Sequence, residues 1–249
     1  MLQKERYDEI YAILSQRGSA TVQYLQKHLY VSEATIRRDL EMMDKSGLIH
    51  RVWGGAMLSS GTDKDIPDFV REKTNGDKKA VIAAKAAQLL HDDISIFIDS
   101  STTCHHLIPY FQRLKKLTVI TNSLNMMRLL LQSTSASVHL TGGYVFENSI
   151  LCGHAAVAAV AQYHADLHFF SCSGLSAEYG ITSIESRVVE VNQAMMKHSD
   201  CQVLLCDSSK FDKAFLWHLA APADVQYVVT DEAPSSPALS AALRGRLIP

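Results

Sequence analysis

Two hydrophobic rhythms run along this chain, and they change over near residue 60. In the first part apolar positions recur at helical spacing. Tyr7, Ile10 and Leu14 share one face of "KERYDEIYAILSQRG", and Gly18 closes that segment. "TVQYLQKHL" predicts a second short helix from Thr21, with Leu25 and Leu29 inward. After the turn at Tyr30-Val31, Ile36, Leu40 and Met43 recur at i, i+4 and i+7 behind Ser32, whose hydroxyl suits an N-cap. Gly47 stands in the C′ position that ends such a helix. "LIHRVWGGAML" then predicts two short strands around Gly54-Gly55.

From residue 94 the rhythm becomes short apolar runs rich in β-branched and aromatic residues: "ISIFID", "LTVITN", "SVHLTGG", "DLHFFSCSG", "CQVLLCD" and "QYVVTD". Helical stretches separate most of them, among them "TTCHHLIPYFQRL", "SLNMMRLLLQ", "GHAAVAAVAQY" and "SRVVEVNQAMMKH". That alternation predicts an α/β domain on a largely parallel, Rossmann-like sheet buried on both sides. The expected organisation is a winged helix-turn-helix over residues 1–58, a polar linker over 59–76 and an α/β effector-sensing domain over 77–249.

Composition and charge narrow the partners. The 249 residues carry a net charge of −2, so a contact with nucleic acid must come from a local cluster rather than from bulk charge. No run of about 18 apolar residues suggests a membrane span. The charged N-terminus lacks the apolar centre of a secretion signal, so a cytoplasmic protein is expected. Cys104, Cys152, Cys172, Cys201 and Cys206 form an odd set without a CxxC pair, read as free thiols in a reducing compartment.

The local basic cluster lies on the third helix. At about 100° per residue Arg38 lies opposite Ile36, with Thr35 and Arg37 on either side. A face of this kind can aim guanidinium forks at guanine edges and phosphates in a major groove. Three helices and a glycine-tipped hairpin in about 60 residues match a winged helix-turn-helix, with the wing laid along the phosphates through Arg51. Ser32, Thr35, Arg37, Arg38 and Arg51 are the candidate contacts to double-stranded operator DNA.

In the second part, polar residues collect where strands end, which is where parallel sheets hold ligands. They are Asp99-Ser100-Ser101-Thr102-Thr103, Thr121-Asn122-Ser123, Thr141-Gly142-Gly143 and Asp207-Ser208-Ser209-Lys210. Hydroxyls and free amides at the start of a helix suit a phosphate. Glycines 142 and 143 let backbone approach a ligand closely, Lys210 adds a charge, and Asp99 is placed to accept from sugar hydroxyls. The candidate effector residues are Asp99, Ser100, Ser101, Thr102, Thr103, Thr121, Asn122, Gly142, Gly143 and Lys210.

Other chemistry finds less support. Cys104, His105 and His106 are adjacent on a helix and point too far apart to share a metal ion, so no metal is expected and the two histidines read as surface or supporting residues. The cysteines have no assignable base, and no GxSxG elbow is present. No catalytic residue and no cofactor are expected.

The run "VSEATIRRDLEMMDKSGLIHRVWGGA" resembles the signature of the DeoR family of bacterial sugar-metabolism repressors, through Ser32, Thr35, Arg37, Arg38, Asp39, Leu40, Gly47, Arg51, Gly54 and Gly55. The resemblance extends over nearly the whole chain. It implies an N-terminal operator reader, with groove contact at Ser32, Thr35, Arg37 and Arg38 and the wing at Arg51. It also implies a C-terminal sugar-phosphate sensor that resembles ribose-phosphate isomerases and CoA-transferases in fold. The expected function is a repressor of a sugar-catabolism operon, released by a phosphorylated sugar and assembled as a homo-oligomer. The alternative is an isomerase-like enzyme with Asp99, Asp207 or Glu185 as base. Two departures from the family pattern stand out: Ser100 and Ser101 precede the paired threonines where a glycine is usual, and Asn192-Gln193 replace a common basic pair.

Overall fold

Helical spacing at the start of the chain builds a three-helix unit, and the strand-rich remainder builds a separate layered one. The structure, a computed structural model, describes residues 3–45, 49–58, 71–72, 74–147 and 149–248. The chain divides into two units, Met1–Thr74 and Asn75–Pro249. Gly47 and most of the linker expected over 59–76 lie outside the described residues.

In the first unit, α1 (Gln3–Arg17), α2 (Val22–Leu29) and α3 (Glu33–Lys45) pack around Ile10, Leu14, Leu25, Ile36, Leu40 and Met43. Tyr30 ends α2 in the left-handed conformation, φ 54°, and returns its N–H to the Gln26 carbonyl, which makes the turn between the second and third helices tight. The hairpin of β2 (Ile49–Val52) and β3 (Gly55–Leu58) forms the expected wing. A third strand, β1 (Ser19–Thr21), pairs antiparallel with β3. It is too short to leave a rhythm in the sequence.

The second unit is built on seven parallel strands. α4 (Gly76–Ala86) leads into β4 (Ser95–Ile98), followed by two short helices, α5 (Thr102–His105) and α6 (Ile108–Phe111), and then β5 (Thr118–Thr121). α7 (Leu124–Ser133) and β6 (Ser137–Leu140) follow, then a hairpin of β7 (Tyr144–Phe146) and β8 (Ile150–Cys152). α8 (His154–Val160), β9 (Ala165–Phe170), β10 (Gly174–Ser176), β11 (Gly180–Ser183), α9 (Ser186–Lys197) and β12 (Ser199–Leu205) come next. The chain ends with β13 (Trp217–Ala220), β14 (Tyr227–Val229), α10 (Pro237–Ala242) and β15 (Leu247–Ile248).

The central sheet runs β15-β14-β12-β9-β4-β5-β6. Side chains alternate across it: Ile96, Ile98, Val119, Phe169 and Val203 join the core on one face. Phe97 and Ile120 pack on the other face with α8 and α9. No helix among the described residues is long and apolar enough to cross a membrane.

Chain order reverses between β4 and β9. β5 and β6 build outward on one side of β4, and β9, β12, β14 and β15 build outward on the other. The helices that follow β4 and β9 lie on opposite faces of the sheet, and in folds of this kind the crevice for ligands is expected at the carboxyl ends of these two strands.

One helix expected over "TTCHHLIPYFQRL" is broken into α5 and α6. Pro109 has no N–H to return to the His105 carbonyl, and the chain tightens into i, i+3 bonds between Leu107 and Cys104 and between Tyr110 and Leu107. His105, expected as a surface or supporting residue, is buried.

Candidate functional site

On the first unit, Ser32 caps α3: its Oγ accepts the Thr35 N–H at 3.2 Å and lies 2.9 Å from Thr35 Oγ1. The apolar stripe faces inward, leaving Arg37 and Arg38 exposed. Arg37 makes only a solvent-exposed pair with Glu33 at 3.4 Å, which leaves its guanidinium available at little cost. Arg51 is exposed on β2, and its backbone N–H donates to Asp44 Oδ1 at 3.1 Å, tying the wing to the end of α3. The five residues therefore lie along one helix and the strand beside it.

Asp39 was not singled out as a contact, yet it decides how α3 sits. Its side chain is only 2% exposed and accepts from Arg6 Nε at 2.7 Å and Nη2 at 3.1 Å, a two-pronged bond that clamps α3 to α1. A signal was present, since Asp39 falls on the apolar face beside Ile36, Leu40 and Met43. A carboxylate there needs a buried cation.

On the second unit, the crevice at the ends of β4 and β9 is laced by hydrogen bonds. Asp99 Oδ1 accepts the Ser101 N–H at 2.9 Å, and Oδ2 accepts the Ser171 N–H at 3.0 Å. Ser171 Oγ donates to the Leu205 carbonyl at 2.7 Å and accepts from Lys210 Nζ at 2.9 Å. Lys79, reaching in from α4, donates to Thr102 Oγ1 at 3.0 Å and is buried. A polar chain thus runs from Lys210 through Ser171 and Asp99 to Ser101, and Lys79 bonds Thr102, the next residue along.

Lys210 is held charged. Burial alone disfavours the ammonium, but the Cys172 and Cys206 sulfurs and the Asp207 and Asp99 carboxylates outweigh it, so its pKa rises above the ordinary lysine value. Cys172 and Cys206 are free thiols on neighbouring strand ends, Sγ to Sγ 3.7 Å. Asp207 lies 3.7 Å from Lys210 Nζ and accepts the Ser209 N–H and the Asn75 amide, each at 3.2 Å. Beneath the crevice His168 is buried against Phe170 and hydrogen-bonded to Asn192 at 3.1 Å, and burial pushes its pKa down to about 4.

The expected residues separate into two groups. Asp99, Ser101 and Lys210 are linked by the polar chain and Thr102 is bonded to Lys79, with Ser100 and Thr103 buried beside them. Thr121 ends β5 and Asn122 follows it, Gly142 and Gly143 lead into β7, and Asn122 and Gly143 lie against β8. Thr121 Oγ1 accepts the Ser123 N–H, and Asn122 bonds Leu151 through both its side-chain amide and its backbone carbonyl. At Gly143, φ 112°, a Cβ would collide with the Cys152 carbonyl, so the hairpin packing itself calls for glycine there.

The phosphate argument also changes footing. α5 has only four residues, too short for a sizeable helix dipole, and Ser101 already caps it by accepting the Cys104 N–H. The cations beside this turn are Lys79, bonded to Thr102, and Lys210, bonded to Ser171. Lys79 was missed because it is one of three lysines on α4 and nothing in its spacing marks it. Ser171 was read only as part of a strand.

The candidate bases of an isomerase are all engaged. Asp99 takes two backbone N–H groups, Asp207 takes Ser209 and Asn75, and Glu185 caps α9 while pairing with Arg187 at 3.0 Å. Asp99 and Asp207 are buried with these partners, and each carboxylate serves to hold a loop or a helix end.

Comparison with known proteins agrees with both units. The DeoR-like helix-turn-helix domain model matches residues 6–62, and the DeoR C terminal sensor domain model matches residues 74–232. The chain is 33% identical over 232 residues to the uncharacterized HTH-type transcriptional regulator YulB of Bacillus subtilis, covering 93% of this chain and 90% of that one. It is 30% identical over 235 residues to the glycerol-3-phosphate regulon repressor of Haemophilus influenzae, covering 94% and 91%. Among solved structures, ribose 5-phosphate isomerase A of Methanocaldococcus jannaschii superposes with a TM-score of 0.42 at 17% identity over 55% of each chain. With one family model on the DNA reader, another on the sensor and relatives matched almost end to end, this chain belongs to the DeoR family of DNA-binding transcriptional regulators and is not an isomerase.

Proposed function

We propose that this regulator represses a sugar-catabolism operon in the cytoplasm and leaves its operator when a phosphorylated sugar binds the second unit. One observation carries the reading: at the switch point between β4 and β9, two lysines flank a hydroxyl-rich turn oriented by a single carboxylate. Lys79 and Lys210 suit the phosphate, together with Thr102 and the hydroxyls of Ser100, Ser101 and Thr103. Asp99 keeps unused lone pairs for sugar hydroxyls. Thr121 and Asn122 stand at the end of β5, and Gly142 and Gly143 lead into the hairpin. The name of the glycerol-3-phosphate regulon repressor supports a small phosphorylated polyol or sugar as the class of effector.

In the reader, Ser32, Thr35, Arg37 and Arg38 contact bases and phosphates, and Arg51 a phosphate beside the wing. A single short helix reads too few bases for a specific site, so the regulator works as a homo-oligomer on repeated half-sites.

A thermal-shift screen comparing sugar phosphates with their free sugars tests the effector class. A ligand at 100 times its dissociation constant adds about 2.7 kcal/mol to the stability of the unit that binds it. Stabilisation by a sugar phosphate and none by the matching free sugar is expected. Equal stabilisation by both removes the phosphate from the reading.

A further inference from the structure

Trp53 is the most exposed large apolar side chain among the described residues, at 105% relative exposure, and its position is fixed. Trp53 and Gly54 form the turn of the wing. Gly54 adopts φ 80°, and its carbonyl accepts the N–H of Val22, the first residue of α2, at 2.8 Å. Gly55 lies so close to β1 that a Cβ would collide with the Ala20 carbonyl. The wing tip is therefore tied to both α2 and β1, and it holds an indole out in water, an unfavourable placement unless something covers it.

Beside the indole lies a cleft of about 260 Å³. Trp53 and Val52 line it together with Thr21, Tyr24 and Arg17. The Arg17 guanidinium lies 4.4 Å from the centre of the Tyr24 ring and donates to the Tyr24 hydroxyl at 3.3 Å. No acidic residue among the described residues lines the cleft. Apolar side chains beside a preset cation match a DNA strand, whose deoxyribose is apolar and whose phosphate is anionic. Val52, in the cleft lining, follows Arg51 on β2.

We propose that Trp53 is a minor-groove residue of the reader. With α3 in the major groove, the wing tip enters the flanking minor groove, Trp53 packs on deoxyribose edges and Arg17 pairs with the phosphate of the strand in the cleft. Proteins that bind the minor groove commonly bring apolar side chains as well as cations into it. The guanine 2-amino group projects into that groove, so A·T pairs are favoured where the wing lands. This proposal rests on the DNA-binding assignment of the first unit.

The test uses the full-length protein and a duplex that it selects from a random-sequence pool. In the Trp217→Phe background Trp53 is the sole tryptophan, and saturating duplex is expected to shield its fluorescence from acrylamide. Trp53→Ala should weaken binding about tenfold or more, with Trp53→Phe in between. Replacing flanking A·T pairs by inosine·cytosine, which keeps the minor-groove face, should preserve the contribution of Trp53, and replacing them by G·C should abolish it. Unshielded Trp53 fluorescence in the bound complex, or equal affinity of Trp53→Ala and the parent, overturns the minor-groove role while leaving DNA binding in place. If no duplex is selected at all, both readings fall.

Discussion

Asp99 and Ser171 meet across the two strands at which the sheet reverses its order, the carboxylate of one accepting the backbone N–H of the other at 3.0 Å. The same carboxylate holds the Ser101 N–H, so one side chain sets the geometry of both loops of the crevice. Asp99→Ala should therefore cost more than a lost ligand contact. Two buried N–H groups would lose their acceptor, at about 1–3 kcal/mol each. The expected outcome is a lower unfolding midpoint in urea together with loss of the sugar-phosphate response. Wild-type stability in that variant would remove Asp99 from its orienting role.

Lys79 gives a cleaner probe of the anion itself. Lys79→Met keeps the length and apolar stem of the side chain while removing the donor to Thr102. A charged hydrogen bond to phosphate is worth about 1.5–3 kcal/mol. Isothermal titration should then find sugar-phosphate binding weakened roughly tenfold or more, with unchanged affinity for DNA. Unaltered effector affinity would show that the phosphate lies elsewhere.

Much of this was legible in the sequence. The apolar runs of β4, β5, β9 and β12 and the Ser32-capped α3 declare themselves, because burial on both sheet faces and on one helix face forces regular spacing. What stayed hidden depends on tertiary contact. Lys79 meets Thr102 only once α4 packs on the sheet, and β1 has three residues and no period to detect. The polar ends of β4, β5 and β6 looked equivalent in sequence. Only the order of strands separates the loop beside β9 from those that lie against the β7–β8 hairpin.

In the reader, Arg37→Ala and Arg38→Ala should each cost about 1–3 kcal/mol of affinity for a selected duplex without changing the circular dichroism spectrum. Arg51→Ala should weaken binding to all sequences alike and reduce its salt dependence. Full gel-shift affinity in both α3 variants would remove the recognition role from that helix.

Arg6 and Asp39 predict a different outcome, because they clamp the helix rather than touch DNA. Arg6→Ala leaves a nearly buried carboxylate without its two-pronged partner and should destabilise the first unit by about 3 kcal/mol or more. Replacing both residues by apolar ones should cost less than the single change. Guanidinium denaturation of the three variants checks the order, and a double variant less stable than Arg6→Ala would contradict it.

His168 sets a pH limit on the sensor unit. Burial holds its pKa at about 4 in the folded chain, against 6.5 ordinarily, so the unfolded chain gains a proton first as pH falls. The stability from a neutral His168 is complete above pH 6.5 and is lost on the way down to about pH 4, on the order of 3 kcal/mol in all. His168→Gln should be less stable near neutrality, yet flatter between those limits. Parallel pH profiles for the two proteins would show that His168 does not carry this dependence.

In the proposed function, one site on the second unit couples sugar-phosphate binding to release of DNA. The most direct measurement of that coupling is a reciprocal titration of the full-length protein. Affinity for the selected duplex is measured across effector concentrations, and affinity for the effector is measured with and without duplex. Linkage requires the two factors to be equal. The account predicts that the sugar phosphate identified by thermal shift lowers duplex affinity, and that duplex lowers effector affinity by the same factor. It also predicts that Thr102→Ala combined with Lys210→Ala abolishes both effects while duplex affinity without effector stays at the wild-type value. Release of DNA by the double variant at the wild-type effector concentration would contradict the account.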